Sequence, residues 1–383
     1  MKQSYLFITL LLTLLCATSA FSQEESNKRE VTLAEAGTLS KQIPESEQAT
    51  LQSLTLKGDI NYHDLVFIRK KLKGLQNLDF TETHIQRVER APGSDTFYPA
   101  DTLFDYSLEE MPTLQSVKIS KNIKAIGMKA FHNDVALTEV EIPEGVTHLG
   151  GYAFAFCKGL KKATVPGTVK MIENYAFLGC VALEEVTLGE GMTMLGGDMF
   201  NDCKSLRKVD LPSTIESIGG QSFKGCVLLT ELTIPAACKQ VGIQILRDCP
   251  AMKVITSLAT KAPEASPRSF YPEQFDQIEL RIPADAITSY LDSPVWSLFK
   301  TIHDLDGKLI PLSVEAPHGV ATPTAYWQDG HLYIEHAAGL TIAIYDTTGQ
   351  LLLEDTPAVE TASYPLPQGL YIIKTPYGAL RAL

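Results

Sequence analysis

The chain has 383 residues, of which 45% are hydrophobic and 20% charged. That balance argues against an intrinsically disordered protein, which lacks the apolar surface to offset its ordering entropy. A net charge of −12, with no basic stripe to meet phosphates, argues against a nucleic-acid partner.

The N-terminus reads as a targeting signal. Lys2 supplies a positive start, Leu6 to Leu15 is a short apolar run, and Thr18-Ser19-Ala20 offers small residues for cleavage. Cleavage is expected after Ala20 or Ser22, so residues 1–22 are assigned to a signal peptide. The product is expected to be secreted or on the outer surface of the cell. The apolar run is too short to span a bilayer, no later stretch is long enough, and no transmembrane span is expected. Cys16 follows Leu15, whereas lipoprotein cleavage needs a small residue there, so lipidation is not expected.

Residues 23 to about 50 are polar and weakly patterned. Leu51-Gln52-Ser53-Leu54-Thr55-Leu56 predicts a first strand, and Asp64 to Leu72 a helix with Leu65, Ile68 and Leu72 on one face. Leu75-Gln76-Asn77-Leu78-Asp79-Phe80 repeats the strand pattern 24 residues after the first copy. Residues 81 to 103 read as an irregular insertion, after which Leu114-Gln115-Ser116-Val117-Lys118-Ile119 resumes the pattern.

From Phe131 to Met252 the chain repeats with a period of 23 residues. Phe131, Phe154, Phe177, Phe200 and Phe223 are in step, and Leu246 takes the next place. Three residues on runs a second column: Asp134, Cys157, Cys180, Cys203, Cys226, Cys249. Each unit reads Leu-x-x-Val-x-Ile-Pro, a Gly-rich corner, then Ala-Phe-x-x-Cys. In Leu137-Thr138-Glu139-Val140-Glu141-Ile142-Pro143 the alternation predicts a strand with one buried face. Pro143, Pro166, Pro212 and Pro235 end their strands, having no N–H for a ladder. Gly150-Gly151, Gly196-Gly197 and Gly219-Gly220 predict corners at positive φ. One unit cannot bury its apolar residues alone; stacked units share a continuous core.

Export implies an oxidising compartment, yet the cysteine column is not expected to form disulfides. Stacked strands lie about 4.8 Å apart, wider than the ~3.8 Å that bridged Cβ atoms prefer. The thiols read as small buried hydrophobes. Cys238 lies off the column without an obvious partner.

After Met252 the period decays. Leu280-Arg281-Ile282-Pro283 predicts a last strand and Ala284 to Tyr290 a short helix, followed by Trp296, Phe299 and Ile302. Pro311 to Pro323 has the composition of a linker. Beyond it Gly330 to Glu335, Leu340 to Tyr345, Leu351 to Leu353 and Leu370 to Lys374 predict strands of a small all-β module.

The Ala-Phe-x-x-Cys corners (Ala153-Phe154-Ala155-Phe156-Cys157, Ala176-Phe177-Leu178-Gly179-Cys180) and the Leu-x-x-Val-x-Ile-Pro strands resemble the BspA-like branch of the leucine-rich repeat family, found on bacterial and protist cell surfaces. The resemblance implies a leucine-rich-repeat solenoid of the α/β horseshoe class, strand-dominated, with a parallel sheet of 23-residue repeats. A small C-terminal all-β sandwich-like domain completes the expected fold. Residues 23–113 would form an N-terminal cap with irregular repeats and an insertion, 114–260 the regular repeats, 261–310 a C-terminal cap, and 311–383 the β domain. Ile344-Tyr345-Asp346-Thr347-Thr348-Gly349 and Gly369-Leu370-Tyr371 resemble the sorting domain of type IX secretion cargo, which implies surface anchoring. The ending Ala379-Leu380-Arg381-Ala382-Leu383 departs from that family's lysine-rich finish.

Solvent-facing strand positions form columns of alternating charge: Glu139, Lys162, Glu185, Lys208, Glu231, and beside them Lys161, Glu184, Arg207. Neighbouring rungs can pair across the sheet and so fix its register; the same columns are the candidate partner-binding face. The eight histidines are scattered, and His331, Glu335 and His336 do not match metal-site spacing. No nucleophile elbow or phosphate-binding loop is present. No catalytic, cofactor-binding or metal residue is assigned, and no cofactor is expected. Asp101, Asp105, Glu109 and Glu110 read as the solvated face of an insertion. The expected function is binding or adhesion to a protein or glycan partner on a host or neighbouring cell. A structural envelope protein is the alternative, and an enzyme the least favoured.

Overall fold

The computed structural model describes residues 27–90, 96–310, 323–346, 350–367, 371–375 and 378–382. Residues 1–22, assigned above to a signal peptide, residues 311–322 of the expected linker, and Thr347-Thr348-Gly349 and Gly369-Leu370 of the sorting-type motifs lie outside the described residues. The chain divides into two compact units, one drawn from Met1–Met192 and Met199–Leu206, the other from Thr193–Asp198 and Arg207–Leu383.

The first unit opens with a parallel sheet, Lys28–Leu33, Ser53–Ile60, Asn77–Ile85 and Ser116–Lys118 in that order. The strand at Lys28–Leu33 was missed because a polar stretch with two apolar anchors, Val31 and Leu33, is too short to show a period. The expected helix is present as Tyr62–Lys71. Asn61 caps it, accepting the His63 N–H at 2.8 Å, and Asp64 reaches back to the Asn61 N–H at 3.0 Å. Such a reciprocal cap satisfies donors that the first turn leaves free. Asp64 also accepts the Gly37 and Leu39 N–H groups, so one buried carboxylate ties the helix start to an earlier loop.

The regular repeats contribute two short strands each, with one exception described below. Glu139–Glu141, Lys162–Val165 and Glu185–Leu188 form one parallel sheet. Thr102–Leu103, Ala125–Ile126, His148–Leu149 and Met171–Ile172 form another. Val140, Ala163 and Val186 point inward while Glu139, Lys162 and Glu185 point outward, as the alternation requires. Inside, Phe131, Phe154, Phe177 and Phe200 stack face to face at centroid distances of 5.1, 5.5 and 5.8 Å. The cysteine column is free of disulfides. Cys157 and Cys180 each donate Sγ–H to the Phe carbonyl of the preceding rung at 3.1 Å.

Asp134 stands where later rungs have cysteine. Its Oδ1 accepts the Met111 N–H at 2.8 Å, while the buried Oδ2 has no protein partner. Burial pushes this carboxyl well above the usual carboxylate range. A raised folded value stabilises the fold fully below the unfolded value of 3.8 and loses that contribution as pH rises through the folded value. Asp134→Asn removes the titration and keeps an oxygen for Met111. Its stability relative to the parent is expected to increase as pH rises above the unfolded carboxyl's value of 3.8, followed by thermal unfolding; a difference independent of pH would refute this.

The glycine corners differ from expectation. Gly150, Gly151, Gly219 and Gly220 are not at positive φ; that conformation falls on the following residue, Tyr152 at +58° and Gln221 at +56°. The first glycine serves close approach instead. A Cβ on Gly150 would lie 2.5 Å from Met128 N, and one on Gly219 would lie 2.5 Å from Gly197 N. A Cβ on Gly151 would meet the flexible Glu173 carboxylate at 3.2 Å. Gly150→Ala is therefore expected to lose about 1–3 kcal/mol in urea unfolding, and Gly151→Ala less than about 0.5 kcal/mol. Equal effects would overturn this account.

In the second unit, Glu231–Ile234, Val254–Ser257, Glu279–Ile282 and Thr301–Asp304 form a parallel sheet. The expected last strand is thus followed by one more. Met194–Leu195, Ser217–Ile218, Gln240–Val241 and Glu264–Ala265 form a second parallel set. The copy at Leu206 to Leu211 forms no strand. Asp210 sits where other copies carry Thr or Glu, and its carboxylate turns to Lys208 at 3.0 Å; aspartate is depleted in strands because it competes for local donors. Phe270, Phe275, Tyr290, Trp296 and Phe299 pack as an aromatic cluster in this unit. Beyond the linker, Thr324–Gln328, His331–Glu335 and Thr361–Tyr364 pair antiparallel, as do Ile342–Tyr345, Leu351–Asp355, Tyr371–Thr375 and Gly378–Ala382. Leu332, Ile334, Ile342, Ile344 and Ile373 pack together between them.

Candidate functional site

All eight residues of the charged columns are exposed. Parallel register places Glu139 opposite Lys162 and Lys162 opposite Glu185. Lys162 Nζ reaches Glu185 at 2.9 Å, and that hydrogen bond raises the ammonium above its ordinary value. Lys161 and Glu184 are adjacent just before the same strands, joined by a Glu184 N–H bond to the Lys161 carbonyl at 3.0 Å. Glu231 opens its own strand opposite Val254. Arg207 and Lys208 lie outside any strand, and Lys208 pairs with Asp210 rather than across rungs. The alternation therefore operates as a register device at Lys162–Glu185 and not at Lys208.

A groove of about 610 Å³ opens on the strand face of the first unit. Ser116–Lys118 ends one sheet and Glu139–Glu141 begins the next. A bond from Thr138 N–H to the Gln115 carbonyl, at 3.1 Å, joins them at one end. Val117, Ile119, Val140 and Pro143 line the groove, rimmed by Lys118, Lys121, Glu139, Glu141, Glu144 and Lys162.

A second regularity escaped the sequence reading. Tyr106, Lys129, Tyr152, Tyr175, Asp198, Gln221 and Gln244 all have positive φ and recur every 23 residues. Glu110, Asn133, Phe156, Gly179, Asp202, Gly225 and Asp248 form a second such series. Rung-to-rung backbone bonds hold these corners, such as Lys129 N–H to the Gly151 carbonyl at 2.9 Å and Phe131 N–H to the Ala153 carbonyl at 2.8 Å. Their period was visible in the sequence, but mixed chemistry at each position hid the shared backbone requirement.

A family model described as "BspA type Leucine rich repeat region" matches in six copies, over residues 101–226 and 193–291. Residues 101–291 belong to the BspA-type leucine-rich repeat family. No curated protein matches the chain. Among solved structures, the chain is similar to a leucine-rich repeat protein from Bacteroides ovatus at 19% identity and TM-score 0.39, covering 60% of this chain and 61% of that one. It is similar to a leucine rich cell surface protein from Faecalibacterium prausnitzii at 18% identity and TM-score 0.32, covering 67% and 74%. It is also similar to the pneumococcal vaccine antigen PcpA at 16% identity and TM-score 0.34, covering 64% and 78%.

Beside the leucine-rich repeats, a second recess of about 530 Å³ is lined by Tyr62, Arg69, Arg90, Tyr98, Phe104, Asp105, Tyr106 and Glu109, among others. Three sources build it: the helix Tyr62–Lys71, the hairpin of Val88–Glu89 with Phe97–Tyr98, and the turn after Thr102–Leu103. Of the four carboxylates expected to face solvent, Asp105 is exposed as expected and Glu109 is half-buried, and both line this recess. Burial raises the Glu109 carboxyl, partly offset by Arg69 at 2.9 Å. Asp101 Oδ1 is buried without a protein partner, and Glu110 is exposed. His336 pairs with Glu360, and Glu335 accepts from Thr324, so His331, Glu335 and His336 do not converge. Among the described residues, no group of three or more His, Cys, Asp or Glu is placed to hold a metal ion. Among the same residues, no helix is long and apolar enough to cross a membrane.

Proposed function

We propose that this is an exported or cell-surface leucine-rich repeat protein that binds a protein or glycan partner through the strand face of its repeats, rather than an enzyme. The observation that carries the reading is the groove at the sheet break. It offers an apolar floor of Val117 and Val140 beside exposed, oppositely charged Glu139 and Lys162. A partially apolar groove with a charged rim is the anatomy of a recognition surface. Within this reading residues 23–310 form the capped solenoid. Residues 311–383 form a sandwich-like domain that serves sorting or anchoring.

The test uses the full chain without residues 1–22. Saturable binding to a partner in panels of matrix proteins and glycans is expected, weakened at least about tenfold by Lys162→Glu, a loss of the size typical for a rim charge near a recognition centre. Surface exposure is checked by protease treatment of intact source cells. No binding in any panel, or a product shielded inside the cell, would overturn the proposal.

A further inference from the structure

We propose that the recess beside helix Tyr62–Lys71 is a carbohydrate site for a neutral oligosaccharide of two or three rings. The inference rests on reading the chain as a binding protein, but places this ligand away from the strand-face groove. Sugars present a flat C–H face and a rim of hydroxyls. A site for them needs aromatic surface and planar polar groups together.

The recess supplies both. Tyr62 and Tyr98 stack at a centroid distance of 3.9 Å and an interplanar angle of 9°, and Phe104 packs against each at 4.5 and 5.2 Å. Both tyrosines are only half-buried. Tyr62 stacks on the Tyr98 ring and the Arg90 guanidinium lies over that ring, 5.0 Å from its centroid, so the exposed ring edges and the guanidinium plane are the surface offered to a ligand. The polar groups are held in advance. Arg69 Nη1 donates to the Tyr106 carbonyl at 2.6 Å and to Glu109 at 2.9 Å. Asp105 Oδ1 accepts the Met128 N–H at 2.8 Å. Gly127 makes room for that carboxylate, since a Cβ there would lie 2.6 Å from Asp105 Oδ1. Groups fixed before binding lose little freedom on association.

Charge and size narrow the ligand. Arg69 and Arg90 are matched by Asp105 and Glu109 in the lining, which favours a neutral ligand over a phosphate or sulfate ester. A volume near 530 Å³ is in the range of small-molecule clefts and small for a folded partner, which covers about 800 Å² per side.

The full chain without residues 1–22 would be titrated by calorimetry with neutral di- to tetrasaccharides of gluco-, manno-, xylo- and N-acetylglucosamine series, with sulfated sugars and with peptides. Saturable binding of at least one neutral sugar is expected. Tyr98→Ala should weaken it at least about tenfold, and Tyr98→Phe, which keeps the ring, should restore most of the affinity. Thermal unfolding establishes that both variants fold. No neutral sugar bound, a sugar bound equally by Tyr98→Ala, or preference for sulfated sugars or peptides would each overturn the site. A protein partner whose binding survives Tyr98→Ala, with no sugar bound, would overturn the site and leave the binding function standing.

Discussion

Phe154→Ala is expected to destabilise the protein by about 3–5 kcal/mol, the range for deleting a fully buried aromatic ring. Phe154 is fully buried, with Phe131 at 5.1 Å on one side and Phe177 at 5.5 Å on the other. The space left behind cannot close by moving the rungs together. The Phe154 N–H is bonded to the Ala176 carbonyl at 2.9 Å and the Phe131 N–H to the Ala153 carbonyl at 2.8 Å, which holds the spacing. The cost of a cavity is greatest where the surroundings relax least. Phe156, two residues on and 36% exposed, provides the contrast: its replacement by Ala should cost less than about 1 kcal/mol. Urea unfolding of both variants checks this. Comparable losses would mean that the phenylalanine column is not the interior of the first unit.

Trp296→Ala should cost the second unit about 3–5 kcal/mol from the lost ring alone. Trp296 is fully buried against Phe270, Tyr290 and Phe299, with centroids 5.3, 5.7 and 5.9 Å away. Its Nε1–H donates to the Pro263 carbonyl at 2.7 Å, so the variant also leaves a buried acceptor unsatisfied, worth roughly 1–3 kcal/mol more. Trp296→Phe separates the two effects. It retains most of the packing and loses the donor, so it should fall well short of the alanine variant in calorimetric unfolding. Equal destabilisation by the two would assign the whole effect to the hydrogen bond.

Much of the fold was legible because stacking turns a sequence period into a spatial column. A residue and its counterpart 23 positions on must share a face when each unit hydrogen-bonds to the next. That is why the Phe and Cys columns, the outward charges of Glu139, Lys162 and Glu185, and the strand registers could be read in advance. The helix Tyr62–Lys71 was legible for the local reason that its apolar face is encoded within a dozen residues, whereas its Asn61 cap emerged only from the structure. The strand lost at Val209 was not legible, because its apolar pattern is intact and one short aspartate decides against it.

The recess had no such signature. Tyr62, Tyr98 and Tyr106 follow no common period, and the carboxylates Asp105 and Glu109 looked like any solvated turn. What drew them together was the Val88–Glu89 and Phe97–Tyr98 hairpin folding toward the helix, a long-range choice with no local pattern.

By itself, the sequence determined which residues lie inside, the rung-by-rung register, and the alternation of buried and exposed strand positions. Those follow from periodicity, because the hydrophobic effect acts on every copy alike. The tertiary structure alone decided where positive φ falls, why Gly150 must lack a Cβ, where the sheet breaks at Glu139, and which tyrosines meet over Asp105. Each of these depends on how closely two distant backbone segments approach, and that distance is set by packing rather than by any one stretch of chain.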